Sequence, residues 1–113
     1  MNAPQTGALG EAAAAKYLED KGFKVIERNF KTPRCEIDII ASKKRCLYFV
    51  EVKYRQSARQ GSGFDYITPK KLEHMQRAAE LWLQEHQWRD EVTLSAIEVT
   101  DDYEVASFIE VVF

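Results

Sequence analysis

The chain has 113 residues, 45% of them hydrophobic and 13 aromatic, which suits a single domain over residues 1–113 with one small core. No apolar run reaches membrane-spanning length, and the start MNAPQTGALGE lacks the charged-then-apolar pattern of a secretory signal, so a cytoplasmic protein with no membrane partner is expected. The net charge of −2 hides a split: residues 1–89 hold all 16 Lys and Arg against 11 acids, whereas residues 90–113 hold seven acids and no base, so a locally basic face toward phosphates survives the acidic average.

Gly7 to Lys21 is alanine-rich and stops at Gly22, which predicts a helix. Phe23 to Phe30 alternates as a strand does. Cys35–Ala41 and Cys46–Tyr54 are β-branched and aromatic runs joined by polar SKKR, which predicts a hairpin with Lys43, Lys44 and Arg45 at a solvated tip. Arg55–Ile67 is glycine- and serine-bearing and too long for a mere connector, so it is expected to be mobile and to lie beside the site. Thr68-Pro69 supplies an N-cap and a first-turn proline for a helix to about His86, with Leu72, Met75, Ala79, Trp82 and Leu83 as its apolar face and Glu73 and Arg77 on its wet side. Two further strands follow near Val92–Val99 and Val105–Val112. The order α-β-β-β-α-β-β predicts an α/β domain around a central mixed sheet.

The chemistry concentrates in the hairpin. Residues two apart share a strand face, so Leu47, Phe49, Glu51 and Lys53 lie on one side of the third strand, and Glu36, Asp38 and Ile40 are expected on one side of the second. A tight turn centred between Lys44 and Arg45 sets Asp38 opposite Glu51, within roughly 5 Å at Cβ if directly paired. Two carboxylates so placed repel unless a cation lies between them. Hard oxygen ligands, few in number, suit Mg²⁺ or Mn²⁺. Glu11 shares a helical stripe with Ala14, Ala15 and Leu18, so it points coreward and needs a partner that the same site could supply. The two cysteines, Cys35 and Cys46, match no zinc spacing, and this register puts them at opposite ends of the hairpin, too far for a disulfide.

Gly10-Glu11, Arg28-Asn29-Phe30, Glu36-Ile37-Asp38, Phe49-Val50-Glu51-Val52-Lys53 and Arg55 together resemble the YraN-like family of small bacterial proteins, a branch of the PD-(D/E)xK nuclease superfamily close to archaeal Holliday-junction resolvases. The resemblance covers nearly the whole chain and implies a restriction-endonuclease-like core. It implies that Asp38 and Glu51 hold Mg²⁺ (or Mn²⁺), that Lys53 stabilises charge at the attacked phosphate, and that Glu11 completes the catalytic set. DNA is the implied partner, branched or structured DNA the implied substrate, and a homodimer or larger DNA-processing complex an assembly open to it. Arg55, Arg59, Lys70 and Lys71 follow the site in the chain and are candidate phosphate contacts, Lys70 also matching a recurrent lysine of the family. Glu36 and Gln76 are secondary candidates. Two departures stand out: Cys35 where the family usually has glycine, and Thr93-Leu94-Ser95 where it tends to have Arg-aromatic-Asp. The alternative from another class is a non-catalytic DNA-binding accessory or interaction module that keeps the nuclease fold.

Overall fold

The computed structural model describes residues 3–55 and 67–111. They form helix α1 (Ala3–Asp20), strands β1 (Lys24–Lys31), β2 (Glu36–Lys43) and β3 (Cys46–Arg55), helix α2 (Pro69–His86), and strands β4 (Glu91–Thr100) and β5 (Val105–Val111). This is the predicted order. The interior of the Arg55–Ile67 stretch, Arg59 included, lies outside the described residues. No described helix is long and apolar enough to cross a membrane.

The five strands lie side by side in chain order, antiparallel except for β3 against β4. A parallel pair needs a crossover, and α2 supplies it. β3 is therefore the middle strand, buried on both faces as its double apolar pattern predicts. On one face Leu47 and Phe49 pack with Ile40, Leu94 and the α2 residues Met75, Ala78, Ala79 and Trp82. On the other, Val50 packs with Ile39, Ala41, Ile97 and the α1 residues Ala14, Ala15 and Leu18.

Local chemistry fixes the ends of these elements. α1 stops at Gly22 in the left-handed region (φ 92°), with Phe23 N–H donating to the Leu18 carbonyl and Gly22 N–H to that of Glu19, the double bond of a Schellman cap. The β2–β3 turn places both Lys44 and Arg45 at positive φ, the two-residue turn whose twist matches a hairpin. Thr68 Oγ1 accepts from Lys71 N–H at 3.1 Å and caps α2. Thr68→Ala is expected to cost about 1 kcal/mol, read as a thermal midpoint lower by roughly 4–8 °C. An unchanged midpoint would show the cap to be redundant with Pro69.

Trp82 is core, as predicted, and its indole N–H reaches Glu27 Oε1 at 2.9 Å while His86 stacks on its ring at 3.8 Å. Glu73 and Arg77 form the predicted exposed pair at 3.2 Å. Both cysteines are free thiols.

A candidate metal and nucleic-acid site at a fork in the sheet

The β2–β3 register runs from Lys43↔Cys46 to Ile39↔Val50, the alignment the turn predicts. It ends there, one pair short of Asp38 and Glu51. At the next step Asp38 replaces the ladder: its Oδ2 accepts the Val52 N–H at 2.7 Å. The carboxylate thus stands at the fork where the two strands part.

The face assignment of β2 needs correction. Cys35 and Ile37 pack with Ile40 on the α2 side, whereas Ile39 packs on the α1 side, so the two-residue alternation breaks at Asp38. Opposite the break, in the neighbouring strand, Asn29 takes φ 59° between the pairs Arg28↔Ile39 and Phe30↔Ile37. Asparagine tolerates that left-handed region better than most residues. Glu36 and Asp38 consequently join Glu11 of α1 instead of sharing a face with Ile40. Single carboxylate oxygens of Glu11, Glu36 and Asp38 all lie within 4.8 Å of one another. In the orientation that satisfies its amide, Asn29 donates to Glu11 Oε1 at 2.6 Å and to Glu36 Oε1 at 2.9 Å, and so holds the two acids together.

Glu51 approaches from β3 and is outside that triad. Its charge still acts on Asp38, whose carboxyl is pushed up to about 7, first by burial and then by Glu51, against the lowering effect of the Val52 N–H, with Glu11 and Glu36 adding to the rise. Glu11 is raised as well, by burial first, with Arg28 opposing and Glu36 and Glu51 adding. Four acids therefore share one field.

Glu51 Oε2 is buried and lacks a hydrogen-bond partner among the described residues, although Lys71 Nζ of α2 stands 2.8 Å away. At that distance the contact is a close ion pair. Burial works against the Lys71 ammonium, but Glu51 outweighs it and holds the lysine above its ordinary value. Cys35 lies in the same neighbourhood; burial raises its thiol, Lys71 opposes, and Glu51, Asp38 and Glu36 add. It is a neutral filler there, where a glycine would leave space.

Lys53 is exposed, two residues beyond Glu51, and is the register partner of the almost fully buried Glu98 in β4. Arg55 closes β3. Lys70 is exposed in the first turn of α2, beside Lys71. Gln76 is exposed too, and lies five residues past Lys71, about 140° around the helix, so α2 does not aim both at the fork. In the departure at Thr93-Leu94-Ser95, Thr93 Oγ1 meets Cys46 Sγ at 3.3 Å and Ser95 Oγ donates to the Phe49 carbonyl at 3.4 Å, so small polar side chains tie β4 to β3. A separate cavity of about 350 Å³ between Thr32–Arg34 and α2, bordered by His74, Arg77 and Leu81, is lined by none of the four acids.

The donor set is four carboxylates, a hard-oxygen environment with excess negative charge and a buried oxygen on Glu51 faced by the Lys71 ammonium. It fits a small divalent cation such as Mg²⁺ or Mn²⁺. Sequence reasoning reached Glu11, Asp38 and Glu51, gave Glu36 a minor place, and missed what Asn29 does. The signal for it was a weak strand former in the middle of a strand.

A family model described as "Uncharacterised protein family UPF0102" matches residues 10–105. A UPF0102 protein of Cytophaga hutchinsonii is 36% identical over 98 residues, 87% of each chain. One of Syntrophomonas wolfei is 44% identical over 79 residues, 70% of this chain and 69% of its own, and one of Renibacterium salmoninarum is 40% identical over 82 residues, 73% and 70%. With the matched region running from the glycine before Glu11 to the start of β5, the chain belongs to the UPF0102 family, the YraN-like group that its motifs resemble.

Proposed function

We propose that the protein is a divalent-metal-dependent endonuclease that hydrolyses phosphodiester bonds in DNA, with branched or structured DNA as the favoured substrate class. The observation that carries this reading is the fork. Acids from α1, β2 and β3 converge where the ladder opens, with a lysine two residues further along the same strand.

Asp38 and Glu51 would hold Mg²⁺ or Mn²⁺, with Glu11 and Glu36 close enough to add a direct or water-mediated oxygen. When bound, the ion supplies Lewis acidity toward water and phosphate. The Val52 N–H fixes one oxygen of Asp38 and leaves the other to ligate. Asn29 performs the same service for Glu11 and Glu36. Lys53 donates to a non-bridging phosphate oxygen and steadies the charge that gathers there during attack. Arg55, Arg59 and Lys70 would hold flanking phosphates, which positions the strand without reading its sequence.

The test is cleavage of linear, single-stranded, flap and four-way-junction DNAs, each with Mg²⁺, with Mn²⁺ and with EDTA, wild type beside Asp38→Ala. Metal-dependent cutting by wild type that Asp38→Ala abolishes is the expected result. DNA binding with no cutting on any substrate would overturn it and leave the accessory-module reading in its place.

A further inference from the structure

The first turn of α2 contains Lys70 and Lys71 and no acid, although the positive end of a helix favours acids over cations. That local choice runs against helix stability, and Lys71 has a compensating partner. Its backbone N–H is fixed by the Thr68 cap, and its side chain crosses to β3, where the ammonium lies 2.8 Å from Glu51 Oε2. The pair is only part-buried on the lysine side, at 31% side-chain exposure against 15% for Glu51. At 2.8 Å the contact is short, and both charge and close approach to the Glu51 carboxylate favour the ammonium there. The oxygen it occupies is also one that a divalent ion at the fork would need.

We propose that Lys71 is a built-in counter-ion of the metal-free site that competes with the divalent cation for Glu51, and that once displaced it turns its ammonium to a DNA phosphate. The inference rests on the metal-dependent reading above and deepens it. Lys71 is a positioning residue: its ammonium, 2.8 Å from Oε2, holds the Glu51 side chain in place while the site waits for its ion. Displacement exchanges one cation for another on the same oxygen, so Glu51 keeps a cationic partner throughout. A phosphate nearby gives the released ammonium a new partner, so metal and DNA each favour the binding of the other.

The experiment measures Mn²⁺ affinity by calorimetry, without DNA, for wild type, Lys71→Met and Lys70→Met. Lys71→Met is expected to bind Mn²⁺ on the order of tenfold more tightly than wild type, the equivalent of about 1.4 kcal/mol for one part-buried charge pair. Lys70→Met removes the same charge from the same helical turn without touching Glu51, and should shift the affinity much less. In EDTA, denaturation of Lys71→Met, Glu51→Gln and the double variant should be non-additive, because either single change already breaks the pair. Equal Mn²⁺ affinity in wild type and Lys71→Met, or an equal shift in Lys70→Met, overturns the proposal and leaves the nuclease reading standing. Additive stabilities overturn it too. If neither wild type nor Lys71→Met binds Mn²⁺, the metal site itself fails and this inference falls with it.

Discussion

Lys53→Ala is expected to lower metal-dependent cleavage by a factor on the order of 100 or more, comparable to the loss of one preorganised donor to a developing anion. DNA binding measured in Ca²⁺ should fall by no more than a few-fold, since one ammonium is a small share of a many-phosphate interface. The asymmetry follows from where Lys53 stands. It is exposed at the end of β3, one side-chain step beyond Glu51 on the same strand face, where a phosphate held by the acids would present its non-bridging oxygens. Lys70→Ala should do the reverse, weakening binding and its dependence on salt while sparing turnover of the saturated enzyme. If Lys53→Ala and Lys70→Ala lose cleavage and binding in the same proportion, Lys53 is a binding residue and the catalytic assignment is wrong.

The second large effect concerns Asp38. Its carboxyl is raised from 3.8 to about 7 in the folded protein, by burial and then by Glu51. Below about pH 4 both folded and unfolded chains hold this proton. Between about 4 and 7 the unfolded chain has released it and the folded protein has not, so the stability of the metal-free protein falls as pH rises through that window. Above about 7 the loss is complete, at most about 4 kcal/mol for a shift of this size and less where neighbouring acids share the protons. Asp38→Asn keeps an oxygen for the Val52 N–H and removes the charge. In EDTA at pH 8 it should therefore raise the melting temperature by on the order of 10 °C, and at pH 4 the two proteins should nearly converge. Added Mn²⁺ should reverse the order at pH 8 by stabilising wild type and not the variant. The same gain at pH 4 as at pH 8 would mean that the asparagine acts by packing or hydrogen bonding and not by relieving charge. That pattern would be a stability–function trade, with an acid that destabilises the metal-free protein retained for the proposed reaction.

Much of this was legible in the chain because the informative patterns were local. The turn at Lys44-Arg45 fixed the hairpin alignment, and with it the placing of Asp38 near Glu51, since register in a hairpin follows from its turn. The Thr68-Pro69 start and Gly22 stop likewise marked helix ends from short-range chemistry. The failures occurred where a distant strand decides. Strict alternation put Glu36, Asp38 and Ile40 on one face, and it broke at Asp38, opposite a left-handed Asn29 in β1, which no periodicity in β2 could announce. Lys71 was placed with the phosphate contacts because only the packing of α2 on β3 brings its ammonium to Glu51.

The parallel neighbours β3 and β4 have a consequence for how the molecule is put together in time. α1 and the β1–β2–β3 meander are contiguous in the chain, and their pairings close short loops, which is entropically cheap and fast. The β3–β4 pairing must wait for the whole intervening stretch, including α2, to fold back. The acids of the fork all belong to the early half, between residues 11 and 51, whereas Lys71 belongs to the late half. In chain order the carboxylates therefore precede their resident cation, and the cover over Leu47 and Phe49 comes from the later α2. Acid repulsion and sticking between molecules are thus expected to weigh most on folding in one interval, after the hairpin has zipped and before the crossover closes.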